Sequence, residues 1–227
     1  MTVDLRLLSY NVRSLRDDAQ AVTTVIRACE PDVVCIQEAP RFLRWRTKCA
    51  ELARDSGLVV ATGGRPAAAM LLLVSVRVRV VATRNILLSK KRGLHQRGLA
   101  LATLELGESR FAVGSLHLDL EASERVRHVD EILGHTERIG PPLILAGDVN
   151  EGPDGPAWRA LAQGHPDAYA IAPSGGEYTS SAIQPVRRID GVFVDPAITV
   201  VGCGVPDVPG IEAASDHRPV LARLRLP

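Results

Sequence analysis

The sequence predicts a fold of mixed α and β structure with polar groups gathered at strand ends. Three observations carry this. Short apolar runs such as Leu143-Ile144-Leu145-Ala146 end abruptly in turn residues, as a buried strand does. Ala19, Val22, Ile26 and Cys29 recur at helical spacing, and Pro31 stops that run. Val76-Arg77-Val78-Arg79-Val80 alternates as a half-exposed antiparallel strand should. The chain has 227 residues and is 46% hydrophobic, which suits one large domain spanning 1–227. No linker, internal repeat or low-complexity tract divides it. Aromatic residues make up only 4%, so the core has to be aliphatic.

Charge and cysteines narrow the class. The 27 basic and 26 acidic residues leave a net charge of +1, so no global basic field dominates binding to nucleic acid. A local basic groove stays open. Cys29, Cys35, Cys49 and Cys203 show no CxxC spacing and read as buried free thiols. Asp4 and Arg6 break the apolar start, so no signal peptide is expected. No apolar run reaches membrane-spanning length. The expectation is a cytoplasmic monomer without stable membrane insertion.

In chain order, Leu5 to Val12 reads as a buried strand with polar Asn11 near its end. The helix through Ala19 to Cys29 follows. Asp32 to Glu38 is a second, β-branched strand ending in an acid, and a carboxylate there needs a partner or a cation. Arg41 to Ala53 reads as a helix, with Phe42, Trp45, Cys49 and Leu52 on one face and Arg41, Arg44 and Lys48 on another. Strands follow at Leu58 to Thr62, Ala69 to Val74 and Val76 to Thr83. Lys90 to Arg97 is a loop with the most concentrated positive charge in the chain. Leu99 to Leu106 and Arg110 to Leu118 pair around Gly107, and the second ends in His117 and Asp119. Glu121 to Ile139 is a charged amphipathic helix whose His128 and His135 read as surface residues. The strand from Leu143 ends in Gly147-Asp148-Val149-Asn150, where Asp148 and Asn150 share a side if the chain stays extended. The same residues also suit an Asx-turn that serves only the backbone. Ala157 to Gln163 is a short helix, Gly164 to Ser181 is irregular, and strands follow at Arg188 to Val194 and Ile198 to Gly202. Pro206 to Ala214 is a loop delivering Ser215-Asp216-His217, and Val220 to Leu226 closes the chain as a strand.

Asn11, Glu38, His117, Asp148 with Asn150, and Asp216 with His217 thus stand at separate element ends, and Asp190 lies in or beside another strand. So many polar groups at boundaries point to one shared edge where loops form a pocket. Acids plus amides make a hard-oxygen set suited to Mg²⁺ or Mn²⁺. No cysteine joins it, and the histidines are too few for a zinc site.

Taken in order, Ser9-Tyr10-Asn11, Ile36-Gln37-Glu38, Gly147-Asp148-Val149-Asn150, Arg188-Ile189-Asp190 and Ser215-Asp216-His217 resemble the motifs of the endonuclease/exonuclease/phosphatase superfamily, the DNase I-like fold. The match runs over nearly the whole chain. It implies an α/β four-layer sandwich, two mostly antiparallel sheets face to face with helices outside. It also implies metal-dependent phosphoester hydrolysis, most readily of phosphodiesters as in nucleases, with a lipid or small-molecule phosphoester as the rival substrate and an inactive binding module as the rival class. By the same resemblance Glu38 is the principal metal ligand, with Asn11 and Asp216 close by. Asp148 and Asn150 would position or deprotonate the attacking water, Asp190 would orient His217, and His117 would sit near the scissile phosphate. The chemistry suits these roles, since a His held by a carboxylate has a fixed tautomer and a stabilised imidazolium. The sequence leaves open whether Asp148 or His217 takes the water's proton. Lys90, Lys91, Arg92 and Arg97 are candidates for the substrate phosphate. The chain leaves little room for the inserted loops that grip a duplex, so little base specificity is expected.

Overall fold

The computed structural model describes residues 2–227. Eleven strands form two sheets. The first has the order β10-β11-β1-β2-β4-β3, with β1 (Val3–Asn11), β2 (Val33–Gln37), β3 (Val59–Gly64), β4 (Met70–Val74), β10 (Thr199–Gly204) and β11 (Val220–Leu226). The second has the order β5-β6-β7-β8-β9, with β5 (Val78–Leu87), β6 (Gly98–Leu106), β7 (Ser109–His117), β8 (Leu143–Asp148) and β9 (Asp190–Val194). Each sheet has one parallel pair, β1 with β2 and β7 with β8, and is otherwise antiparallel.

Three apolar clusters make four layers of these parts. Leu7, Val33, Leu72, Ala102, Val113, Ile144 and Leu224 meet between the sheets. Behind the first sheet, Leu8, Val34 and Ile36 pack on Val22 and Ile26 of α1 (Ala19–Cys29) and on Cys49 and Leu52 of α2 (Trp45–Asp55). Behind the second, Leu145 and Leu116 pack on Val129 and Ile132 of α3 (Ala122–Thr136) and on Trp158 and Leu161 of α4 (Pro156–Gly164). Central strands are therefore covered on both faces, which is why β2 and β8 are buried throughout and apolar up to Gln37 and Asp148 at their ends rather than alternating. This is the helix–sheet–sheet–helix sandwich expected. The four cysteines are buried free thiols, as expected. No described helix is long and apolar enough to cross a membrane.

Local chemistry explains the boundaries. Asp18 caps α1, its Oδ1 accepting from the backbone N–H of Gln20 and Ala21 at 2.9 Å. Glu30 ends α1 in the left-handed region before Pro31. Several expectations need correction. The helix expected from Arg41 starts only at Trp45, because Arg44 before it is left-handed, and Phe42 is 70% exposed instead of sharing its buried face. The strand expected at Val76 starts at Val78 and runs on to Leu87, with a bulge between Val80 and Ala82 that breaks the simple alternation. His128 is buried rather than superficial, its Nε2 3.0 Å from the Ser89 carbonyl oxygen. His135 is exposed, as expected. Two segments expected to be irregular carry one-turn helices, α5 (Ala168–Ile171) and α6 (Ile211–Ala214).

Register places the functional groups. Asn11 lies opposite Gln37 in the parallel pair β1–β2, His117 opposite Asp148 in β7–β8, and Asp148 opposite Asp190 in β8–β9. The start of β11 lies beside the end of β1, with Val220 opposite Ser9. Parallel strands finish, and antiparallel strands begin, along one shared edge. Below that edge the sheets are hydrogen-bonded through the apolar interlayer: Gln37 Nε2 donates to Ser115 Oγ (3.2 Å), and Ser115 Oγ donates to the Ile36 carbonyl (3.0 Å).

Gly147 fixes how closely β7 and β8 approach at that edge, since a Cβ there would lie 1.9 Å from the Leu116 carbonyl oxygen. Gly147→Ala is expected to destabilise the protein by about 3 kcal/mol through this backbone collision. Gly134, inside α3 with nothing within 4 Å of a Cβ, is the control. Gly134→Ala is expected to stabilise by about 0.5–1 kcal/mol. Denaturant unfolding of both variants checks the pair, and equal shifts would refute the close-approach account.

Candidate active site

The edge where the strands finish opens into a cavity of about 400 Å³, lined among others by Glu38, Arg41, Arg97, His117, Asp148, Asn150 and His217. Asp148 stands on its wall and is only 1% exposed. A buried carboxylate needs donors, and they come from both sheets. Asn11 Nδ2, from the first sheet, donates to Asp148 Oδ2 at 3.0 Å and reaches Glu38 Oε1 at 3.4 Å. From the second sheet, His117 Nε2 lies 3.3 Å from Asp148 Oδ2, and the backbone N–H of Asn150 donates to Oδ1 at 2.9 Å. His217 Nε2 stands 3.8 Å from Oδ2.

Asn150 does not share an extended backbone with Asp148. Its φ is +58°, so the chain turns, and its Nδ2 donates to the Leu118 carbonyl at 3.0 Å. The Asx-turn and the pocket position are thus realised together: the turn brings Asn150 onto the cavity wall. Glu38 also stands in the left-handed region, at φ +53°, just after β2. Beyond β1, Arg13, Ser14 and Leu15 are all left-handed, and the Ser14 N–H donates to the Glu38 carbonyl at 2.7 Å. This turn brings Ser14 to the cavity wall.

His217 is held by its partner. Its Nδ1 lies 2.8 Å from Asp190 Oδ2, and Asp190 is buried. Burial alone disfavours charge on this imidazole, but the charge and hydrogen bond of Asp190 outweigh it, and the pKa rises to about 10. Burial pushes the Asp148 carboxyl up, and the charge of Asp190 adds to it, against the opposing pull of His217 and Asn11. His117 moves the other way: burial, then the positive charge of Arg97, holds it well below its ordinary value, so it is neutral. One imidazole is thus kept charged and the other neutral, on either side of one carboxylate.

Asp216 is partly exposed, accepts from Ser215 Oγ at 3.3 Å and lies 3.4 Å from Arg13 Nε. Ser215 Oγ also lies 2.8 Å from the Asn11 carbonyl oxygen and ties this loop to β1. Four candidates for the substrate phosphate separate here. Arg97 lines the cavity, its side chain 11% exposed and its Nε 3.6 Å from Asp119. Lys90, Lys91 and Arg92 do not line it, and Lys91 pairs with Glu121 at 2.6 Å. The loop turns its tip away and presents His95, Gln96 and Arg97 instead. Arg41 lines the cavity from the opposite sheet. Ser14 and Leu120 on the wall carried no signal in the sequence, since one is an ordinary turn residue and the other a single leucine between two acids.

The donor chemistry fits a hard divalent cation. Glu38 faces the cavity, and its carboxylate accepts only the long bond from Asn11 among the described residues. Asp148, Asp190 and His217 also converge, with candidate ligand atoms within 4.8 Å of one another. Their mutual hydrogen bond, however, commits His217 Nδ1 to Asp190. The oxygens of Glu38, free of such a commitment and facing the cavity, are the better fit.

Comparison with known proteins agrees with this geometry. No curated protein matches the sequence. Among solved structures, an endonuclease/exonuclease/phosphatase from Bacteroides vulgatus superposes with a TM-score of 0.83 at 20% identity, over 99% of this chain and 100% of that one. A mannosyl-6-phosphatase of Bacteroides thetaiotaomicron gives 0.80 at 18% identity, over 97% and 99%. The D. rerio TDP2, complexed with a single-strand DNA product, gives 0.73 at 17% identity, over 97% and 98%. These likenesses establish the fold, which is DNase I-like. The model of the Endonuclease/Exonuclease/phosphatase family matches residues 8–217, from the middle of β1 to His217. The chain belongs to the endonuclease/exonuclease/phosphatase family.

Proposed function

We propose that residues 1–227 act as one catalytic domain that hydrolyses phosphodiester bonds with a divalent cation, Mg²⁺ or Mn²⁺. The observation that carries this reading is the buried Asp148 carboxylate between the imidazoles of His117 and His217, with Glu38 on the wall of the same cavity. A binding module without turnover has no use for a buried acid of this kind.

Glu38 and Asp216 would hold the cation, with Asn11 beside them. When bound, it supplies positive charge against the phosphoryl oxygens. Arg97 and Arg41 offer guanidinium groups to the incoming phosphate from two sides. His217, kept charged by Asp190, offsets the negative charge that grows in the transition state. A charged imidazole has no lone pair to accept a proton, whereas Asp148 is a carboxylate of raised basicity beside it. Asp148 therefore takes the proton of the attacking water, and Asn150 on the adjoining turn helps place that water. His117 is neutral and stands on the same wall, where it orients Asp148 and contacts the phosphate.

A screen with bis(p-nitrophenyl) phosphate and Mg²⁺ or Mn²⁺ tests the reading. His217→Ala is expected to lower turnover about 10³-fold, and Asp190→Asn less, because the first removes the group and the second only its holder. The double variant should fall no further than His217→Ala alone. Losses that multiply would show that the two residues act separately.

Asp190 also sets the charge of His217, which NMR can follow without turnover. In the metal-free protein the wild-type imidazole is expected to stay protonated beyond pH 8, as a pKa raised to about 10 requires. In Asp190→Asn its titration should move down by two or more pH units, by loss of the partner's charge. Identical titrations would remove Asp190 from this role.

Glu38→Gln keeps the shape and removes the charge that a hard cation needs. Calorimetry is expected to show Mn²⁺ affinity weakened at least tenfold with the fold intact. Unchanged affinity would exclude Glu38 as a ligand.

A further inference from the structure

The cavity continues into an open trough on the side of Arg41. Both share Arg41, Phe42, Ala68 and Gln96, and the trough runs on past Leu43, Arg65 and Leu87. Its rim is unusual for a water-facing surface. Phe42 is 70% exposed, Leu43 86% and Leu87 57%, while Leu120 at 72% stands on the cavity wall itself. Nothing in the fold covers them. Adjacent exposed apolar side chains ringed by polar groups mark an interaction surface rather than ordinary scatter. The ring here is basic: Arg41, Arg44 and Arg65 line the trough with Phe42 and Leu43, and Arg46 lies over the Trp45 ring beside it. No acidic side chain lies within ion-pair distance of any of these four arginines among the described residues.

We propose that this rim docks on an anionic lipid bilayer, and that the phosphodiester reaching the cavity is a lipid headgroup presented from that surface. The proposal rests on the phosphodiesterase reading above and names its substrate class. Apolar insertion combined with attraction between basic side chains and anionic headgroups is the two-signal arrangement that reversible membrane attachment requires. Leu43, at the tip of the loop between β2 and α2, would enter the headgroup region. The unpaired arginines would meet the lipid phosphates, and the trough would lead one headgroup past Arg41 to Asp148.

The observations favour a bilayer over a nucleic acid. Base stacking needs free aromatic faces. Three of the four exposed side chains are leucines, which have none. The two aromatic rings nearby are occupied: Arg41 lies 5.2 Å from the centroid of Phe42, and Arg46 4.5 Å from that of Trp45. A guanidinium over an aromatic ring leaves an apolar rim with a charged cap, which suits an interface between lipid and water.

Sedimentation of the full chain with vesicles tests this. One set is phosphatidylcholine alone; the other is phosphatidylcholine with 30% phosphatidylserine, a content of about the level that gives a negative surface potential. The wild type is expected to sediment at least tenfold better with the anionic vesicles. The variant Leu43→Ser/Arg44→Ser changes two exposed residues outside the catalytic cavity. It should lose that binding at least tenfold while keeping wild-type turnover of bis(p-nitrophenyl) phosphate. Absence of vesicle binding in the wild type, or unchanged binding in the variant, overturns the proposal. So does tight binding of a single-stranded oligonucleotide that the variant loses while vesicle binding is unaffected. Vesicle binding needs no catalysis, so a wild type that binds vesicles but turns over no phosphodiester would sink the proposed function and leave the docking surface standing.

Discussion

The buried carboxylate of Asp148 is the constraint around which both sheets are arranged. A carboxylate at 1% exposure has to be met by donors or neutralised. No single strand can supply them, because successive side chains of a strand face opposite ways. Asn11 comes from one sheet, His117 and the Asn150 N–H from the other, and His217 from the loop entering β11. Satisfying one acid therefore fixes where two sheets and a loop meet. The Gln37–Ser115 hydrogen bond below it holds the same relation in the apolar interlayer. Gly147 sets it from the backbone side, since β8 could not lie so close to β7 with a side chain there.

The two sheets contribute unlike groups for a topological reason. In each, one parallel pair ends at the shared edge and the strands flanking that pair run against it. Loops leaving parallel strands carry Glu38 and Asn150, while loops entering antiparallel strands deliver Asp190 and His217. The first sheet brings Asn11, Glu38 and, on the loop entering β11, His217; the second brings His117, Asp148 and Asp190, the partner of His217. Neither sheet makes the site alone. That division explains why the functional residues are spread from Asn11 to His217, across nearly the whole chain.

Much of this was legible in the sequence, because it rests on features that local patterns record. A run of apolar residues that stops at Gly-Asp marks a buried strand and a polar group at its end, and β2 and β8 are read almost to the residue. What was not legible depends on backbone turns and on distant partners. Asn150 reaches the wall through a left-handed residue, not an extended strand, and spacing alone cannot distinguish the two. Phe42 has the period of a helix face, yet a left-handed Arg44 starts the helix later and leaves the ring in water. His128 lies on a charged helix and reads as superficial until the Ser89 loop packs over it. The loop from Lys90 to Arg97 is recognisably basic, but only its conformation decides that Arg97 turns inward and Lys91 pairs with Glu121.

The cavity wall and its rim obey different physical rules, and this separates chemistry from specificity. Asp148 and His117 are buried and His217 nearly so, and each has its pKa moved by burial and by charged neighbours, so changing one changes the others. Such a set resists piecemeal substitution. Arg41, Phe42, Leu43 and Arg44 are wholly or partly exposed, and touch little that the core depends on. Substitutions there cost little stability, usually within about 0.5 kcal/mol, yet alter what can approach. Contacts made on the rim are equal in the ground and transition states, so they govern capture of substrate, whereas the buried set acts where charge develops. A family fold can therefore keep one hydrolytic centre while its rim is rebuilt for a sugar phosphate, a DNA strand or a lipid surface. In this chain the rim is apolar at its tips and basic around them, and that composition, more than the buried set, governs what can approach the cavity.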